Sequence, residues 1–153
     1  MNRKVQQQNW DFPVLGSVAR EVNTKAFDGH QYEVFSVTKY DGFVRSLDYF
    51  KKQVFSRDTS GYKVVKPGQF AYATIHLDEG SIGLLNYHAP VVISPMYTVF
   101  EIDTTTIHAP YLVRFLKSPK MIAQYALLGS GSVHRRKAIS FNKLSELKIP
   151  LPP

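Results

Sequence analysis

Between Tyr32 and Ile102 the chain is cut into short β-branched and aromatic runs by turn signals, roughly one every ten residues. Tyr32, Val34 and Phe35 lead into Ser36-Val37-Thr38, and Asp41-Gly42 offers a turn before Phe43-Val44 resumes. Tyr62-Lys63-Val64-Val65 is ended by Pro67-Gly68. Phe70 to Ile75, Gly80 to Leu85, Val91 to Ser94 and Tyr97 to Ile102 follow in the same style. Short strands with turn chemistry between them predict a curved, mostly antiparallel β-sheet. Ahead of them, Trp10, Phe12, Val14 and Leu15 form an apolar stretch, and Pro13 argues against a helix interior there. Val18 to Val22 is ambiguous between strand and helix.

After Thr104-Thr105-Thr106 the period changes. Pro110 fits a first helical turn, and Tyr111, Leu112, Phe115 and Leu116 recur at helical spacing. Ser118 can cap a second helix with Pro119 at its first position, and Met121, Ile122, Tyr125 and Leu128 mark its apolar face. Gly129-Ser130-Gly131-Ser132 predicts a flexible loop. Ser140 can cap one or two further turns, with Phe141, Leu144 and Leu147 facing inward. Strands first and helices afterwards, in 153 residues, predict a single α+β domain.

Composition narrows the function classes. The 44% hydrophobic content supplies a core, and no apolar run approaches the roughly 20 residues that span a bilayer. No apolar segment follows Arg3 and Lys4, so the first residues do not read as a secretory signal. The absence of cysteine removes disulfides, thiolate zinc sites and cysteine nucleophiles, and the default home is the cytoplasm. Net charge is +7, and it is one-sided. Residues 111–153 carry eight cations against one anion, while residues 59–110 carry two against four. A basic field of this kind attracts polyanions. Basic tails also serve simply to keep a chain in solution, and charge alone does not separate the two.

Several chemistries lack their residues. No Gly-rich phosphate loop, HExxH or Gly-x-Ser-x-Gly occurs, and the five histidines show no ligand spacing. Glu146-Leu147-Lys148 matches the last half of a nuclease-type metal motif, but Glu146 is the only acid after Asp103. The Asn-Pro-Pro-Tyr type of motif of amino-methyltransferases is absent. These absences single out no catalytic, metal-binding or cofactor-binding residue, and they leave open a metal site assembled only in three dimensions.

The order of short blocks does resemble a known family. Trp10 to Val18 (WDFPVLGSV) looks like the start of a target-recognition domain from the specificity (S) subunits of type I restriction-modification systems. Residues 35–44, FSVTKYDGFV, are similar to that family's first strand pair. Tyr62 to Phe70 resembles its Tyr-x-x-Val-x-x-Gly-Asp-Phe stretch, with Gln69 in place of the acid. Gly80-Ser81-Ile82-Gly83 and Val92 to Tyr97 match a further pair of blocks. Tyr111-Leu112 with Leu116-Lys117-Ser118, then Arg135 to Lys137, Phe141, Leu144 and the closing IPLPP, complete the likeness over residues 10–153.

The resemblance implies a non-catalytic DNA reader, recognising one half-site of double-stranded DNA. Its partners would be methyltransferase (M) subunits, which bind S-adenosylmethionine themselves, and through them restriction (R) subunits and a second recognition domain. It implies a polar N-terminal segment over 1–9, a recognition domain over 10–148, and a Pro-rich exit over 149–153 toward a spacer helix that this sequence does not contain. Expected phosphate contacts are Arg135, Arg136 and Lys137, then Lys51, Lys52 and Arg57. Expected base or groove contacts are Lys39, Tyr40, Arg45, Tyr72, Thr74 and His76. Two rival functions stand beside this one: a protein-interaction module that binds methyltransferase subunits without DNA, and a small nuclease.

Overall fold

The computed structural model describes residues 9–27, 29–49, 58–128 and 138–153. In chain order the strands and helices are β1 (Ala19–Val22), β2 (Phe35–Thr38), β3 (Gly42–Arg45), α1 (Ser46–Tyr49), β4 (Lys63–Val65), β5 (Phe70–Ala73), β6 (Ile82–Leu84), β7 (Val91–Ile93), β8 (Tyr97–Ile102), α2 (Ala109–Leu116), α3 (Pro119–Leu128) and α4 (Phe141–Ser145). The class is α+β, and the named strands pair antiparallel throughout. They are divided among three sheets. One has four strands in the order β1-β8-β5-β6, and β2-β3 and β4-β7 form two-stranded sheets.

The central strands explain the division. β5 is buried at every position, so it has cover on both faces. Successive side chains point to opposite sides of a strand. Phe70 and Tyr72 join a cluster with Phe100, Leu112, Leu116, Met121, Tyr125 and Leu144, on the helical side. Ala71 and Val99 join Phe35, Val37, Val65, Val91 and Ile93, on the side of the two small sheets. Phe70 pairs with Phe100 in register, and the rings stack with centroids 4.9 Å apart and planes 12° from parallel. A fully buried ring of this size contributes about 1.5–3 kcal/mol. The large residues thus anchor the helices, and the small ones let the two-stranded sheets approach.

The helices follow their sequence signals. Pro110 lies at the start of α2, and Leu112 and Leu116 are buried one turn apart. Ser118 Oγ accepts from Met121 N at 3.3 Å, and Ser140 Oγ accepts from Lys143 N at 3.3 Å, so both serines cap. The ambiguous stretch after Val18 is a strand, because β1 pairs with β8 from Ala19↔Ile102 to Val22↔Val99. The run from Phe70 ends as a strand at Ala73, since residues 74–76 turn into a 3-10 segment over Leu77–Glu79. The single turn α1 had no sequence signal; its buried Ser46 shares a 2.7 Å hydrogen bond with Ser36 Oγ.

The two ends of the described chain pair with each other. Asp11 and Leu151 exchange backbone hydrogen bonds of 3.1 and 2.7 Å, and Ile149 N donates to Pro13 O at 2.8 Å. Ile149 is fully buried, and Tyr111 Oη donates to Pro150 O. Packing therefore runs on through Leu151, beyond residue 148.

Candidate nucleic-acid interface

Two turns carry four of the six expected groove residues, Lys39 and Tyr40 on one and Thr74 and His76 on the other. The first is the tip of the β2–β3 hairpin. Thr38 Oγ1 accepts from Asp41 N at 3.1 Å, and Gly42 supplies the left-handed conformation (φ +63°) that closes the turn. Tyr40 stands 80% exposed at this tip, with Lys39 Nζ 5.1 Å from its ring centroid. The hairpin lies against β6 through a second glycine. A Cβ on Gly83 would sit 3.1 Å from Phe43 Cδ2, 3.2 Å from Phe43 N and 3.3 Å from Gly42 Cα, so any larger residue must push the hairpin back by a few tenths of an ångström. An open groove of 810 Å³ runs beside the hairpin, lined among others by Tyr40, Phe43, Arg45, Tyr49, Asn86 and Lys117.

Tyr40 and Arg45 thus share one groove. Arg45 is already engaged there: its Nη2 lies 2.9 Å from Glu33 Oε1, and its Nε 3.4 Å from Asp48 Oδ2. Tyr87 Oη donates to the other Glu33 oxygen at 2.5 Å, and this bond to a carboxylate raises the phenol's pKa. An incoming phosphate would meet two carboxylates around Arg45, which biases that guanidinium against backbone contact.

The second turn covers residues 74–80. Thr74 Oγ1 shares a 2.8 Å hydrogen bond with Thr98 Oγ1, and His76 Nδ1 lies 2.8 Å from Glu79 Oε2. Tyr72 belongs beneath this turn, and its expected role as a groove contact is corrected. Its side chain has no exposed surface, because its strand is covered on both faces. Burial pushes its phenol pKa up, and the hydroxyl donates to Ile139 O at 2.8 Å. Ile139 N in turn donates to Thr74 O at 2.9 Å. Tyr72 and Thr74 therefore hold the backbone of Ile139 from both sides.

That cluster, Arg135, Arg136 and Lys137, lies outside the described residues, as do Lys51, Lys52 and Arg57. Lys117 escaped the sequence-based expectations. Its half-buried Nζ donates to Ile82 O (3.0 Å), Gly80 O (3.1 Å) and, longer, Lys39 O (3.4 Å). Desolvation lowers its pKa, and the nearby Asp41 charge partly opposes that. Gln69, at the position where the resembled motif has an acid, accepts from Lys66 N at 2.9 Å and donates to Glu101 Oε2 at 3.0 Å. An acid could make only the first bond, and it would face Glu101. Hydrogen bonds from Gln69 and then Arg20 hold the Glu101 carboxyl below its ordinary range. Among the described residues no three His, Asp or Glu side chains group as metal ligands, and no helix is long and apolar enough to cross a membrane.

No protein-family model and no curated protein matches the chain. Solved structures do match. One, from work on complex assembly and conformational transition of a type I restriction-modification system, superposes over 99% of this chain with a TM-score of 0.59 and 17% identity. The HsdS subunit of Thermoanaerobacter tengcongensis superposes over 100%, at 0.59 and 17%. The chain has the fold of a type I S-subunit segment. The S subunit of M. genitalium agrees, with a TM-score of 0.58 over 99% of the chain and 13% identity. This chain spans 36% to 37% of the length of those three. At these identities the likeness concerns fold.

Proposed function

We propose that this chain is a target-recognition domain of a type I restriction-modification specificity subunit. It reads one half-site of double-stranded DNA and catalyses no reaction itself. The observation that carries this is the S-subunit fold over essentially the whole chain, combined with a net charge concentrated in residues 111–153. The 74–80 turn brings Thr74 and His76, the β2–β3 hairpin tip brings Lys39 and Tyr40, and the far end of β3 brings Arg45 to the major groove, where each base pair offers a distinct hydrogen-bonding pattern. Arg135, Arg136 and Lys137 hold phosphates and set the register, with Lys51, Lys52 and Arg57 in support. Docked M subunits supply S-adenosylmethionine and the methyl transfer, R subunits join through them, and the assembly works in the cytoplasm.

A labelled duplex, the same strand alone, and a plasmid with Mg²⁺ separate this function from its rivals. The duplex should bind, lose affinity linearly in log–log form as salt rises, and resist competition from the single strand. The plasmid should remain intact. Cleavage would favour a nuclease. Co-purification with M subunits without salt-sensitive duplex binding would favour a pure interaction module. One half-site gives modest affinity, because the gain from linking two sites is missing.

A further inference from the structure

Lys117 belongs by composition to the basic last third of the chain, where a cation would be counted toward DNA. Its geometry places it elsewhere. An ammonium has three protons to donate, and here three backbone carbonyls from two segments surround it, one on the hairpin and two on the 80–82 stretch. Lys39 O belongs to the hairpin tip, Gly80 O to the end of the 74–80 turn, and Ile82 O to β6. Lys117 itself ends α2, with its N–H bonded back to Val113 O and Phe115 O. The nitrogen is fixed from one side by a rigid helix and from the other by the two turns. α3 backs the same turn, since Ile122 packs against Gly80. The Lys39 backbone is thereby tied down while the Lys39 and Tyr40 side chains remain exposed. Turning the Lys117 ammonium toward a phosphate would break all three carbonyl bonds.

We propose that Lys117 is a positioning residue that ties the β2–β3 hairpin tip to the 74–80 turn, and so fixes the spacing between the two turns that face DNA. The proposal rests on the DNA-reading function proposed above. Its physical content is that two loops can read neighbouring base pairs only if their separation is held, and the hydrogen bonds of the Lys117 side chain join both loops to α2 at a single nitrogen.

The test uses the full chain with Lys117→Met, which keeps the stem and removes the donors. Binding is measured across salt to the duplex that the wild type enriches from a random pool, and to a shuffled version. Amide exchange is followed in the DNA-free protein. The expected result is a salt slope equal to wild type, a matched-to-shuffled preference reduced about tenfold, and exchange of the Lys39–Asp41 amides faster by about tenfold or more. A slope flatter by about 0.9 with preference retained would make Lys117 a phosphate ligand and overturn the proposal. Unchanged preference, or unchanged exchange, would overturn it as well. A wild type that shows no preference overturns the DNA function and this proposal together, whereas a discriminating Lys117→Met protein overturns this proposal alone. If Lys117→Met does not fold, Lys117→Arg, whose longer planar head cannot reproduce the three bonds, is held to the same outcomes.

Discussion

Replacing Arg135, Arg136 and Lys137 together by alanine is expected to flatten the slope of log affinity against log salt by roughly 0.9 for each phosphate that is no longer neutralised, and by about 2.7 if all three cations engage. Neutralising a phosphate releases condensed counterions, and the slope counts those ions directly. The weakening should be nearly the same for every duplex sequence, because phosphates carry no base identity. Two residues after the cluster, Ile139 is held by Tyr72 Oη, which donates to its carbonyl, and by Thr74 O, which accepts from its N–H. The variant should therefore fold as the wild type does, and an unchanged thermal midpoint would check this. An unchanged salt slope in a folded variant would remove the three residues from the phosphate-binding set.

The second large effect is predicted at Gly83. Its missing Cβ is the space in which the hairpin backbone lies, with Phe43 N at 3.2 Å and Gly42 Cα at 3.3 Å from where that atom would be. The nearest atom is Phe43 Cδ2 at 3.1 Å and the other two are main-chain atoms, so turning the ring alone does not make room and the hairpin backbone must give as well. Gly83→Val should destabilise the protein by about 1–3 kcal/mol, as overpacking does, and should lift the β2–β3 hairpin from β6. In denaturant this appears as a lower midpoint with an unchanged m-value. At the DNA, the hairpin tip moves while no cation is lost, so base preference should relax without a change in salt slope. A Gly83→Val protein with wild-type midpoint and preference would show that the close approach is not required.

Much of the fold was legible because local signals agreed with the tertiary answer. Ser118 and Ser140 cap as their positions predict, and the aromatic and β-branched runs became β2 through β8. One misreading has a clear cause. Tyr72 looks available because it sits in an alternating run, yet alternation identifies two faces without saying that helices cover one and the two-stranded sheets the other. The ion pair of Arg45 with Glu33, twelve positions earlier, follows no local pairing pattern and is not legible in the sequence. Of the interface, the hairpin tip was visible in Asp41-Gly42, and Lys117 was not. Its partners Lys39 and Gly80 lie 78 and 37 residues away, and a lysine closing a helix carries no sign of what its nitrogen will meet.

The most direct measurement is selection of bound duplexes from a randomised double-stranded pool by the full chain at moderate salt, followed by sequencing. A half-site reader should enrich one short, contiguous motif of a few base pairs, each position worth about 1–3 kcal/mol of discrimination. Enrichment of no motif, with binding that depends on salt alone, would contradict sequence recognition by this chain.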